Sequence, residues 1–289
     1  MSYLDDDPWT IKDTDGVLNN GLEFGFARMQ GWRRRIDDAF MAELQADRLP
    51  QGCSFFVVFD RHAGRMVADL ASEKSRKTAA KDADPNRIGK AIRDALLNLD
   101  QMISATFKKN SNLNDCTAFA ALITPAHIIV ANAGDSHSFL IKISHAAAMF
   151  FGHNPTNVGS ASESETQADS CFGQTQKRRS VSLENVSAEP DIEVHKIDKS
   201  EAFVVLVCNG TWDFISSDKL CAYFRQLTNK GKTGLKLVAE EIQGNCLRAD
   251  SIVIVKFPDA KVGKSGEVAP IREERARLEQ AERDRMKGW

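Results

Sequence analysis

A chain of 289 residues with 42% apolar side chains has material for one large or two small hydrophobic cores. A formal net charge of −2 and a pI near 6.3 supply no polyanion-binding balance, so nucleic acid is not an expected partner. Six cysteines without a CxxC pair, an acidic N-terminus (MSYLDDDPW) with no apolar leader, and no apolar run of bilayer length point away from secretion and membranes, toward the cytoplasm or nucleus.

Residues 1–21 are rich in acids and turn formers (Asp13, Asp15, Gly16, Asn19, Asn20) and are expected as an N-terminal extension lying on or near the domain. The first strand is expected near Leu22–Met29. MQGWRRRIDDAF then sets Trp32 and Ile36 among Arg33, Arg34, Arg35, Asp37 and Asp38. On pattern alone it reads as a charged strand and turn, or as basic and acidic side chains gathered for chemistry.

Ser54–Phe59 is short, aromatic and β-branched with no polar alternation, the signature of a fully buried strand. The run FFVVFDRHA stops abruptly, so the strand hands a carboxylate, Asp60, and an imidazole, His62, to whatever lies at its end. Gly64 to about Ala80 has helical composition. Ile88, Ile92, Leu96, Leu99 and Ile103 recur at spacings of three and four, the stripe of a helix packed on a core.

From Cys116 the pattern returns to strands. TAFAALIT, a turn at Pro125 and HIIVANAGDSHSFLIKI predict short antiparallel strands joined tightly, so the sheet structure is largely antiparallel. Residues 152–187 form an irregular insertion rich in Ser, Asn, Gln and Thr. Within it, KRRSVS places three basic residues ahead of Ser180 and Ser182, either a phosphorylation site for a basophilic kinase or a solvated basic cluster.

IEVHKI and AFVVLVCNG follow as strands, the second ending at Asn209. Ser216 and Ser217 can cap the helix DKLCAYFRQL, a further helix begins at Leu235, and ADSIVIVKF is a strand with Asp250 at its start. The domain is therefore expected over 22–258. Residues 259–289 read as a linker and a highly charged helix with Glu273–Arg277 and Glu279–Arg283 pairs.

Asp60, Asn209 and Asp250 thus stand at the ends of three apolar strands, with Asp37 and Asp38 beside a fourth. Taken singly, each reads as structural. Together, oxygen ligands arriving from several strand ends suit a hard cation such as Mg²⁺ or Mn²⁺.

The blocks MQGWRRRIDDA, FFVVFDRHAG, DCTAFAALI, IIVANAGDSHSFL, VSAEPDIEVHKI, FVVLVCNGTWDFIS and ADSIVIVKF occur in that order from about residue 22 to residue 257. In this they resemble the ordered motifs of the type 2C metal-dependent protein phosphatases, the PPM family. The resemblance implies an α+β fold, an α-β-β-α sandwich of two antiparallel sheets flanked by helices. It also implies a dinuclear Mg²⁺/Mn²⁺ site that activates a water against phosphoserine or phosphothreonine.

By the same resemblance, Asp60 is the carboxylate that bridges both metals, and Arg61 stands where a glycine contributes its carbonyl. Arg33 is the phosphate-binding arginine and His62 the general acid for the leaving alkoxide. Asp37 falls where the family usually has Glu, and Asp250 where it has a ligating Asp. Asp38, Asp135 and Asp213 are further acids of the same blocks.

The departures gather in the same place. Asn209 replaces a ligating Asp with a neutral group, and Asp37 is one methylene, about 1.5 Å of reach, shorter than Glu. Arg61 adds a positive charge and replaces a conformationally permissive Gly. Asn209 and Arg61 together leave the site about two charge units less favourable to cations, and one unit charge at about 4 Å in an effective dielectric near 20 is worth about 4 kcal/mol. Ala63, His137 in GDSH, and Ala249 and Ser251 in ADS also leave the pattern. The expectation is a pseudophosphatase with Mg²⁺ or Mn²⁺ weakly bound or absent, a scaffold for a phosphoprotein or regulatory protein; the alternative is an active Ser/Thr phosphatase with a weakened dinuclear site.

Overall fold

The computed structural model describes residues 4–19, 21–33, 38–44, 51–60, 84–106, 117–134, 136–142, 146–150, 189–208, 217–229, 234–246 and 250–258. The expected helix over Gly64–Ala80, the 152–187 insertion and the charged C-terminal helix lie outside these residues. Two compact units emerge, one of Met1–Ile36, His137–Ala148 and Asp198–Trp289, the other of Asp37–Ser136 and Met149–Ile197.

In chain order the strands are β1 (Leu4–Asp15), β2 (Leu18–Asn19), β3 (Leu22–Arg33), β4 (Ala39–Glu43), β5 (Ser54–Asp60), β6 (Thr117–Ile123), β7 (His127–Ala133), β8 (His137–Lys142), β9 (Ala146–Phe150), β10 (Asp191–Lys196), β11 (Glu201–Val207) and β12 (Asp250–Lys256). The described helices are α1 (Pro85–Thr106), α2 (Ser217–Asn229) and α3 (Leu235–Cys246). A seven-stranded sheet runs β1-β3-β12-β11-β8-β9 with β2 beside β3, and a five-stranded sheet runs β10-β7-β6-β5-β4. The pairings are antiparallel, so the α+β class with two antiparallel sheets is correct.

In the second unit, α1 lays its stripe on the five-stranded sheet. Ile88, Ile92, Leu96 and Leu99 share one core with Phe55, Val57, Phe59, Ala118, Ala120, Leu122, Ile129 and Ala131. Burial of each large side chain stabilises by about 1.5–3 kcal/mol. Asp84 starts the helix: its Oδ1 accepts from Asn86 N at 3.0 Å and its carbonyl from Ile88 N at 3.0 Å, with Pro85 at the first helical position. The β6–β7 hairpin closes as expected around Pro125, where Thr124 Oγ1 accepts from His127 N at 2.8 Å.

In the first unit, α2 and α3 cover the seven-stranded sheet. Leu220, Phe224, Val238, Ala239 and Ile242 pack with Phe139, Phe203, Val205, Ile252 and Ile254. The first turn of α3 lies directly on β3 at Gly25, where a Cβ would stand 2.1 Å from the Leu235 carbonyl carbon. Glu23, two residues earlier on β3, accepts from Leu235 N at 3.1 Å and so caps the same helix.

Three expectations change. Residues 4–15 are no surface extension ahead of the first strand; they are β1, hydrogen-bonded along β3 from Leu4↔Arg33 to Asp15↔Phe26. β9 was not foreseen. The run HIIVANAGDSHSFLIKI is not one ribbon: Gly134–Ser136 carries the chain from the five-stranded sheet (β7) to the seven-stranded one (β8).

Candidate metal centre

Side chains alternate along a strand, and the second unit's core sorts its sheet faces. Ala39, Phe59, Ala118, Ala131 and Ala133 belong to the core beneath α1, so the alternate positions Asp38, Thr117 and Asn132 fall on the opposite face. β5 ends on Asp60, opposite Thr117 of β6. β4 begins with Ala39 opposite Phe59, which puts Asp38 one step on, beside Asp60 in register. Asp38 is buried, 8% exposed. One end of the five-stranded sheet therefore gathers Asp38, Asp60 and Thr117 from three consecutive strands.

The seven-stranded sheet does the same by itself. β12 begins at Asp250, opposite Met29 of β3. Cys208 N, just past β11, donates to Ser251 O at 3.2 Å, next to Asp250 at the start of β12. β3 runs on past Met29 to end at Arg33. Of the strand-end residues read from the sequence, Asp60 ends β5 and Asp250 begins β12.

Asp37, Arg61, His62, Asp135, Asn209, Asp213, Ser180 and Ser182 lie outside the described residues. Among the described residues no three His, Cys, Asp or Glu side chains converge. The donor set read from the sequence still sorts by chemistry: Asp37, Asp38, Asp60 and Asp250 suit a hard divalent cation, Asn209 offers a neutral oxygen, and Arg61 opposes a cation. Within the five-stranded sheet, Asp38 and Asp60 bring to one end the carboxylate chemistry that suits a hard divalent ion.

Sequence reasoning missed Asn132. It is fully buried in β7, and its Nδ2 donates to Gly134 O and Ser136 O, each at 3.1 Å. A lone amide inside the apolar run HIIVANA was the available signal, since a buried polar group implies a partner.

Cys53, Cys208 and Cys221 are buried and free, in keeping with thiols acting as small hydrophobes. Burial pushes the Cys53 thiol up and away from thiolate chemistry. Among the described residues no helix is long and apolar enough to cross a membrane.

A family model for protein phosphatase 2C matches residues 22–160 and 171–252. Protein phosphatase 2C homolog 2 of Aspergillus fumigatus is 30% identical over 273 residues, covering 82% of this chain and 63% of that protein. This chain thus spans less than two thirds of that relative's length. Human protein phosphatase 1A is 27% identical over 298 residues, covering 90% of this chain and 77% of the human one. Among solved structures, serine-threonine phosphatase 2C of Toxoplasma gondii matches with a TM-score of 0.64 at 17% identity, over 86% of this chain and all of that one (100%). A sex determining protein of C. elegans matches with a TM-score of 0.58 at 18% identity, over 93% and 67% of the two chains.

Proposed function

Since this chain belongs to the protein phosphatase 2C family, we propose that it is a catalytically impaired member, a pseudophosphatase that holds a phosphoprotein or regulatory partner. The observation that carries the reading is the altered donor set: Asn209 in place of a ligating carboxylate, and Arg61 as a cation next to Asp60. Asp37, Asp38, Asp60 and Asp250 would hold Mg²⁺ or Mn²⁺ with reduced affinity. When bound, such ions deprotonate water and neutralise phosphoryl oxygens.

The chain's own part in recognition falls to Arg33, whose guanidinium pairs with a phosphate in a two-pronged geometry that lysine does not match. A partner bearing phosphoserine or phosphothreonine meets that requirement. His62 keeps an ionisable group for the leaving alkoxide, which is one reason the site reads as a former catalyst.

Calorimetric titration with Mn²⁺, run beside p-nitrophenyl phosphate turnover, tests the reading. Millimolar binding with negligible turnover is expected. Tight binding of two ions together with robust turnover overturns it.

A second reading, a working Mg²⁺/Mn²⁺-dependent Ser/Thr phosphatase with a weakened site, is favoured by the retention of Asp60 and Asp250 at their strand ends. It requires slow Mn²⁺-dependent hydrolysis that Asp60→Ala abolishes and Asn209→Asp raises. Activity indifferent to Asp60→Ala would belong to a contaminant.

A further inference from the structure

The five-stranded sheet ends on β10, and among the described residues no strand lies beyond it. Its pairing with β7 is regular from Asp191↔Asn132 to Lys196↔His127, without a bulge and without a proline inside the strand. Bulges, prolines and single-sign charge are common ways of blunting a sheet margin. β10 lacks the first two, and its charges are mixed: Asp191 and Glu193 precede His195 and Lys196. The strand is also held in place. A Cβ at Gly89 of α1 would stand 2.6 Å from Ile192 Cγ2, and Arg93 Nη1 pairs with Glu189 Oε1 at 3.2 Å just ahead of the strand.

One bond fixes which backbone groups face outward. Ile197 N donates to Ala126 O at 2.9 Å, so Ile197 and the alternate residues His195, Glu193 and Asp191 turn their amides and carbonyls toward β7. Ile192, Val194 and Lys196 turn theirs to the open side. The side chains sort by the same alternation. Ile192 and Val194 pack against the core beneath α1 and border a groove of about 730 Å³ beside Arg93 and Leu97. Glu193 and His195 stand on the other face, Glu193 exposed and His195 half-buried. Burial pushes the Glu193 carboxyl up, and His195 beside it pulls the other way.

What the margin lacks is hydrogen-bond partners, so its occupant is a strand, and the sequence of β10 selects which one. Paired with itself, antiparallel about a two-fold axis at Val194, β10 sets Val194 against the partner's Val194 and Ile192 against the partner's Lys196. Every outward N–H and C=O then has a partner. Between them lie the close, non-hydrogen-bonded pairs, where Glu193 faces the partner's His195, and by symmetry His195 faces the partner's Glu193. A carboxylate opposite an imidazole is a favourable cross-strand pair, and the imidazole offers an N–H in either charge state. The neighbouring registers are worse. An axis at Glu193 opposes two carboxylates and sets Lys196 against the partner's Pro190, which has no N–H; an axis at His195 opposes two imidazoles.

We propose that β10 is a self-association edge: two copies of this chain pair through it, antiparallel about Val194, and join their five-stranded sheets into one. β10 contributes six residues where stable interfaces use about 20–30 a side, so the dimer forms in the micromolar range.

Sedimentation velocity on the full chain across the micromolar range tests this. The wild type is expected to show a monomer–dimer equilibrium. His195→Glu should weaken it by about tenfold, because both favourable pairs become like-charged ones. The exchange Glu193→His with His195→Glu recreates the pairs in reverse and should return the affinity to within about threefold of wild type. Val194→Cys reads the register separately: the two residues 194 would stand about 5.5 Å apart, so mild oxidation should give an inter-chain disulfide mapped to that position, and Glu193→Cys should give none.

A wild type that stays monomeric overturns the proposal and leaves the margin to a strand of another protein. An association that His195→Glu leaves unmoved overturns it too, as does one that the exchange fails to restore in a variant melting near wild type. If a charge variant does not fold, the Val194→Cys disulfide decides: linkage at 194 supports the pairing and its absence overturns it.

Discussion

Gly25→Ala should be the most damaging single methyl addition in the seven-stranded sheet. The new Cβ would lie 2.1, 2.3 and 2.5 Å from Leu235 C, Leu235 O and Lys236 N, all backbone atoms of α3. Ordinary contact begins near 3.4 Å, so the helix start must retreat by about 1.3 Å. Leu235, Val238 and Ile242 are 3%, 0% and 1% exposed on that helix. A gap of up to about 1 Å forfeits a quarter to a half of a dispersion contact, and each of these side chains gains about 1.5–3 kcal/mol on burial. The loss is then about 2–3 kcal/mol, with roughly 1 kcal/mol more as Glu23 loses its hold on Leu235 N. Urea denaturation followed by circular dichroism should show this as about 3–4 kcal/mol, or a melting temperature lower by roughly 6–16 °C. Gly234→Ala is the control: nothing lies within 4 Å of its Cβ, and its φ of +123° makes the change one of backbone strain, about 1–3 kcal/mol. A Gly25→Ala variant within about 0.5 kcal/mol of wild type would refute the close-packing argument.

Glu23→Ala removes both the cap on α3 and the 3.5 Å ion pair with Lys256, and should cost about 1 kcal/mol in the same denaturation experiment, with Glu23→Gln closer to wild type because it keeps the acceptor. Asp198 is held below the ordinary carboxylate range by hydrogen bonds first from the Ser200 side chain and amide, and then by Lys142. A carboxylate depressed by folding stabilises above its unfolded value and loses that contribution as pH falls through the folded one. The difference in melting temperature between wild type and Asp198→Asn should therefore be present at neutral pH and shrink as pH drops below the ordinary 3.8; a difference that grows toward acid would contradict the sign. Asn209→Asp restores a negative ligand and should tighten Mn²⁺ binding by about tenfold or more in calorimetry.

Much of the fold was legible because its signals are local. The buried stretches Phe55–Phe59, Ala118–Ile123 and Ala202–Val207 announce themselves as unbroken apolar runs. The α1 stripe repeats at helical spacing, and its residues 88, 92, 96 and 99 fill the core as read. The N-terminal strand was hidden for a physical reason. Its run of acids and Pro8 look like a turn, and its strand character comes from pairing with β3, a partner the local pattern does not contain. The sheet change at Gly134–Ser136 was hidden likewise, because either hydrophobic run pairs equally well until the long-range register is known. Of the candidate centre, the strand-end positions of Asp60 and Asp250 were readable from where apolar runs stop and start. Asp38 beside Asp60 needed the β4–β5 register, and the Asn132 hydrogen bonds needed the turn itself.

The N-terminal strand also has a protective use. β1 is the outermost strand of its sheet, and its pairing is interrupted between Leu4 and Trp9 and again between Trp9 and Lys12. Pro8 lacks an amide hydrogen altogether, and Asp7, Asp13 and Asp15 are exposed. A kinked, charged, donor-poor margin of this kind is a poor template for another chain. Stripping residues 1–16 would uncover the twelve-residue flank of β3, which includes Phe24, Phe26, Ala27 and Met29. A margin that recruits no other chain and a new margin through which a truncated form self-associates are thus two outcomes separated by one short segment.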